Sequence, residues 1–179
     1  MKKYTYQELE FEFSKHKYNW SCFHIIGIRS KSDKPDAFDD LIILIDGDKI
    51  SYYTGTTNPG THWLKNFLNP KGTAVLKPDQ YIDGWKIGLH KGYEALVQNK
   101  PVTVYRDTDK DDKSEEQGKE DTGFFGINIH RTGAIISKII GRWSAGCQVL
   151  NNPEEFKDFM RKIKFSGKKT FTFTLLKEF

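Results

Sequence analysis

Two residues 17 positions apart carry the chemistry this sequence offers: His130 and Cys147, within Phe124 to Leu150, FFGINIHRTGAIISKIIGRWSAGCQVL. A free thiol is almost wholly protonated at neutral pH, and an imidazole that takes its proton makes it a nucleophile for acyl transfer. Side chains alternate along a strand, so Asn128 and His130 are expected on one face, with Ile127 and Ile129 turned to the core. Ser144, Ala145 and Gly146 precede the cysteine, and small residues there let the backbone approach a substrate closely. Amides around Gly146 and Cys147 are the natural donors to an oxyanion. The bland alternative makes Cys147 a small core residue and His130 a satisfied strand histidine. An activated thiol is expected to alkylate well below pH 8; a buried structural one is not.

These residues need a scaffold, and the chain predicts a mainly β domain of the α+β type. Thr5 followed by Glu8 reads as a capping box opening a short N-terminal helix, with Tyr6, Leu9 and Phe13 on one face. Phe23–Arg29 and Leu41–Ile45 read as strands, and Asp46-Gly47-Asp48 as a hairpin turn into a strand over Ile50–Thr54. TTNPGTHWLKNFLNPKG (56–72) reads as loop with one helical turn. Short strands follow at Thr73–Leu76, Trp85–His90, Val102–Arg106 and Phe124–His130. Asn152 and Pro153 open an amphipathic helix whose apolar stripe is Phe156, Phe159, Met160 and Ile163. TFTFTLL (170–176) alternates as a closing strand. At 179 residues the chain is one domain, 1–179, long enough for a core without disulfides.

Composition narrows function without naming it. Net charge is +4, yet residues 106–121 hold eight acids against four bases, an exposed acidic loop. The basic remainder suits an anionic polymer, but no nucleic-acid motif is present and the Lys and Arg are scattered. No apolar run approaches the roughly 20 residues of a membrane span. The opening MKKYTYQELEFEF has no apolar core of a secretory signal peptide. Cys22 and Cys147 form neither a disulfide framework nor a paired metal motif, and no cofactor or metal is called for. Cys22, beside Trp20 and Phe23, is expected in the core. DTDKDD (107–112) partly matches a calcium loop, but Asp112 stands where its glycine belongs and Gly118 where its bidentate glutamate belongs. Trp63, Trp85 and Trp143 are the tryptophans that could stack on sugars.

The segment IHRTG…IGRWSAGC resembles the signature of the YkuD-type L,D-transpeptidase catalytic domain, a strand-borne His followed by Ser/Thr-x-Gly-Cys. TTNPGT (56–61) and GTAVLKPDQY (72–81) look like the loops preceding that core, and KIGLHKGYEALVQNKPVTVYRD and DTGFFGINIHR look most like phage and prophage relatives. The resemblance covers about residues 20–165. It implies a β-sandwich-like catalytic domain acting on peptidoglycan stem peptides. Cys147 would form a thioacyl intermediate, His130 would act as base and then acid, and Ser144 and Gly146 would shape the site and help hold His130 or the oxyanion. Asn128, Arg131, Arg142, Trp143 and His90 are the implied substrate-side residues.

One departure stands out: the family usually carries Arg two positions after the cysteine, and here Val149 follows Gln148. Arg131 and Arg142 are candidate substitutes. This departure favours a hydrolytic cell-wall peptidase, of phage-lysis or effector type, over a cross-linking transpeptidase. Without a signal peptide, such a protein would be made in the cytoplasm and reach the wall by release, injection or lysis. Two other readings stay open: a non-catalytic wall-binding or phage structural module, and a papain-like protease. The latter usually places Cys before His in the chain.

Overall fold

The Thr5 hydroxyl accepts the Glu8 N–H while the Glu8 carboxylate accepts the Thr5 N–H, closing the expected capping box and starting helix α1, Tyr6–His16. The computed structural model describes residues 2–32 and 34–179. After α1 come strands β1 (Phe23–Arg29), β2 (Asp40–Asp46) and β3 (Lys49–Thr56), a one-turn helix α2 (Thr61–Lys65), and β4 (Thr73–Leu76) and β5 (Gln80–His90). Next are β6 (Tyr93–Gln98), β7 (Val102–Asp107), β8 (Glu120–Gly123), β9 (Ile129–Arg131) and β10 (Gln148–Leu150). Helix α3 (Pro153–Phe165) and strand β11 (Thr170–Lys177) complete the chain.

The protein is mainly β with three helices, but its main sheet closes on itself. Eight strands form a barrel in the order β1-β11-β5-β6-β9-β10-β3-β2, and β4-β7-β8 form a separate three-stranded sheet. The continuous apolar runs of β1 and β2 explain the layering, because such runs are buried on both faces. Ile25, Ile42 and Leu44 point into the main core, whereas Ile26, Ile28, Leu41, Ile43 and Ile45 pack outward under Leu9 and Phe13 of α1. Strand β11 lies parallel to β1 and antiparallel to β5, joining the chain's end to its first strand.

The stripe of α3 enters the main core, with Phe159 edge-on to Tyr53 at 5.5 Å. The Asn152 side chain accepts the Glu154 N–H as N-cap. A cap contributes about 1 kcal/mol, whereas each fully buried large side chain contributes about 1.5–3 kcal/mol. Packing therefore holds α3, and the cap sets where it begins.

Four expectations are corrected. Phe124–His130 is not one strand: only Ile129–Arg131 pairs, and Gly126 adopts a φ of +71° that breaks the ladder. Strand β8 falls partly inside the stretch expected to be acidic loop. The implied β-sandwich gives way to a main sheet closed into a barrel. Cys22 is exposed, not core, because it sits in the connection just before β1.

Candidate active site

The cysteine and the histidine arrive on adjacent parallel strands. Strands β9 and β10 pair with His130 opposite Val149, and the register continues as the Gln148 N–H donates to the Asn128 carbonyl at 2.9 Å. Cys147 thus lies one strand over and two residues back from His130. A strand spacing of about 4.8 Å and a rise of about 3.3 Å per residue put their Cα atoms about 8 Å apart. Asn128 and His130 share a face, while Ile127 and Ile129 are buried in the main core, as the alternation predicted.

The loop before Cys147 is held by its own atoms. The Ser144 hydroxyl donates to the Cys147 carbonyl at 2.8 Å and accepts the Gly146 N–H at 3.2 Å. Ser144 is fully buried and makes no hydrogen bond to His130, so it shapes the turn and does not orient the imidazole. Its use of the Gly146 N–H also removes that amide from the expected oxyanion donors. Among the described residues the Cys147 N–H has no acceptor, which leaves it as the available donor. Gly146 is required for two reasons. Its φ is +123°, and a Cβ there would lie 2.6 Å from the Ala74 carbonyl oxygen. The Gly60 N–H, from the loop before α2, donates to the Ser144 carbonyl at 2.9 Å and braces the turn from outside.

The thiol touches the irregular segment across from it. The Cys147 Sγ accepts the Asn128 N–H and donates to the Gly126 carbonyl, both at 3.5 Å. Gln98 of β6 holds that segment in place: its Oε1 accepts the Phe125 and Ile127 N–H groups at 3.0 and 3.1 Å, and its Nε2 donates to the Gly123 carbonyl. The buried Trp85 indole donates to the Ile127 carbonyl at 2.9 Å, so this tryptophan is a core anchor, not a sugar platform. Burial pushes the Cys147 thiol up, with the Asn128 N–H and the Lys91 charge opposing.

His130 is 2% exposed. Its Nδ1–H donates to the Arg131 carbonyl at 2.9 Å, with the Tyr93 hydroxyl 3.5 Å from the same nitrogen. That assignment leaves Nε2 as the basic nitrogen, and Nε2 is buried without a hydrogen-bond partner. Burial first, then the neighbouring His90, push His130 down to about 3. The ring is therefore neutral at physiological pH and holds a lone pair that nothing else uses.

A cavity of about 420 Å³ opens beside the thiol. Trp63, Thr73, Arg106, Phe124, Phe125 and Cys147 are among its lining residues. Arg106 lies over the Phe125 ring at 4.6 Å and donates to Asp121. Cys147 lines this cavity, and the buried His130 does not.

Several expected site residues lie elsewhere. Arg131 donates to the Thr132 and Gly133 carbonyls and stacks on Tyr93 at 4.6 Å, lining a different groove beside α3. Arg142 is exposed, and its carbonyl accepts the Trp63 indole N–H. Trp143 is 40% exposed, and its ring packs close to Gly133, off the cavity. None of the three lines the cysteine cavity, and the side chain at 149 is a fully buried valine. His90 and Asn128 do reach the site but do not line the cavity: His90 stacks on His130, and the Asn128 side chain bonds His90. Sequence reasoning missed Gln98, Tyr93 and Arg106. Each reaches the site through strand pairing distant in sequence, with no local motif to mark it.

No helix among the described residues is long and apolar enough to cross a membrane, and among them no cluster of three His, Cys, Asp or Glu is arranged to hold a metal. No family model, curated protein or solved structure matches this chain.

Proposed function

We propose that the chain is a cysteine-dependent acyl-transfer enzyme of the L,D-transpeptidase type, acting on peptidoglycan stem peptides and releasing its acyl group mainly to water. One observation carries the reading: a thiol facing an open cavity, one strand away from a neutral imidazole whose Nε2 is unused.

In this reaction the Cys147 Sγ attacks a peptide carbonyl held in the cavity, and its proton passes to His130 Nε2. The Cys147 N–H donates to the oxygen that gains negative charge. The imidazolium then returns the proton to the leaving amine as the C–N bond breaks, giving a thioester. Water attacks the thioester, loses its proton to His130, and the S–C bond breaks to release a carboxylate and the thiol. The hydrogen bond from Nδ1 to the Arg131 carbonyl holds the tautomer that leaves Nε2 basic and stabilises the imidazolium as it forms.

The hydrolytic preference rests on the flank of the cysteine. A buried Val149 offers no guanidinium there, and Arg131 and Arg142 do not line the cavity. The test is digestion of purified peptidoglycan followed by mass analysis of the muropeptides, with Cys147→Ala alongside. The expected result is shortened stem peptides bearing a new carboxylate with the wild type and none with the variant. Identical product profiles for the two proteins overturn the proposal.

A further inference from the structure

His90 was expected at the substrate, yet the structure stacks it on the histidine. The two rings lie nearly parallel, 13° apart, with centroids at 4.0 Å. His90 is fixed from behind by a chain of hydrogen bonds. The Gln98 N–H donates to Asn128 Oδ1 at 3.0 Å, which orients the Asn128 amide so that its Nδ2–H faces His90 Nδ1, also at 3.0 Å. A nitrogen that accepts this bond carries no proton, so the contact favours neutral His90. Thus β6 supplies Gln98, the residue entering β9 is Asn128, and β5 supplies His90, in a chain that ends on the His130 ring of β9.

We propose that His90 is a positioning residue for His130: its ring face fixes the plane of the neighbouring imidazole, and its place in the stack keeps the pair from holding two protons at once. The inference rests on His130 being the base of the proposed reaction, but the coupling between the rings can be measured without turnover. Two imidazolium ions face to face at 4.0 Å would repel strongly in a site this buried. The second proton is therefore excluded, and His130 stays ready to accept one from the thiol. The other titratable groups facing the pair are Lys91 from the β5–β6 turn, Tyr93 from β6, Arg131 from β9 and Cys147 before β10. The positive charges of Lys91 and Arg131 act on His130 in the same direction as His90.

Two variants separate stacking from binding. His90→Phe keeps a flat neighbour and loses the ionisable ring, whereas His90→Ala loses both. The His130 imidazole is titrated by NMR in all three proteins, and kcat and KM are measured separately on a muropeptide. The expected result is an upward move of the His130 titration in both variants, larger in His90→Ala. That variant should also lose on the order of 10–100-fold in kcat with KM within a factor of about two, while His90→Phe retains most of kcat. An unmoved His130 titration in His90→Ala overturns the proposal. So does a change confined to KM, which would return His90 to substrate binding. If the wild type turned over no muropeptide while the titration moved as stated, the positioning would stand and the assigned reaction would fall.

Discussion

The pH dependence of Cys147 alkylation separates two ways of arming a cysteine. In one, thiol and imidazole rest as a thiolate–imidazolium pair. In the other, both rest neutral and the proton moves only during attack. The proposed reaction uses the second. Burial raises the thiol above its ordinary value, so the proton rests on sulfur at neutral pH. Burial and His90 lower His130 to about 3, so its Nε2 stays free at every pH above that. At pH 7 the thiolate is then a minor species. Iodoacetamide reacts with the thiolate, so its rate at Cys147 should climb about tenfold per unit from pH 5 to 8, with no shoulder. Turnover through the neutral pair should be almost flat over the same range, because neither partner changes state within it. The assay is intact-mass kinetics with peptide mapping, which separates Cys147 from the exposed Cys22, run beside kcat/KM on a muropeptide. An alkylation plateau below pH 7.5 would refute this argument and restore the activated thiolate expected from the sequence.

Two further outcomes follow from packing. Gly146→Ala should abolish turnover, since its Cβ would meet the Ala74 carbonyl at 2.6 Å and its backbone would leave φ +123°; activity within tenfold of wild type would show that the turn tolerates another path. His24 is buried against Phe13 and Trp20 and is pushed down to about 4, so its contribution to stability is full above pH 6.5 and is lost as the unfolded chain takes up a proton below it. Denaturant unfolding should show a loss on the order of 3 kcal/mol from this group between pH 7 and 4, which His24→Phe removes; an equal pH 4 loss in the variant would contradict the assignment.

What could be read from the chain is what has a local cause. The α1 capping box, the turn at Gly47, the Asn152-Pro153 start of α3 and the two apolar strands each carry their signal within a few residues, and each forms where expected. The turn before Cys147 was likewise legible, because the small residues there let the backbone fold tightly. The failures share a cause. Phe124–Asn128 alternates like a strand, but Gly126 and the Gln98 side chain turn its N–H groups away from a ladder. Arg142 and Trp143 are neighbours of the motif in sequence but lie off the cavity, and Arg131 turns its side chain to the groove beside α3. Gln98, Tyr93 and Arg106 are the reverse, brought in by pairings of β6 and β7 that no short window encodes.

The place of the site in the barrel follows from the same physics. Strands β9 and β10 have three residues each, and β6 meets β9 through the single pair Leu96↔Ile129, so closure is weakest there. A regular ladder would consume every backbone N–H, whereas an interrupted one leaves the Cys147 N–H unused and sets the cysteine at the cavity wall. Interruption costs stability wherever a buried polar group goes unpaired. Gln98 satisfies two N–H groups of the irregular segment, Trp85 one carbonyl, and Ser144 both an amide and a carbonyl of the cysteine turn. What remains unpaired is then confined to a few atoms, among them His130 Nε2. The structural His24 also leaves one ring nitrogen, Nδ1, without a partner, so it is the place of His130 one strand from the thiol that singles its Nε2 out. In the proposed reaction that nitrogen stays free until the thiol presents its proton.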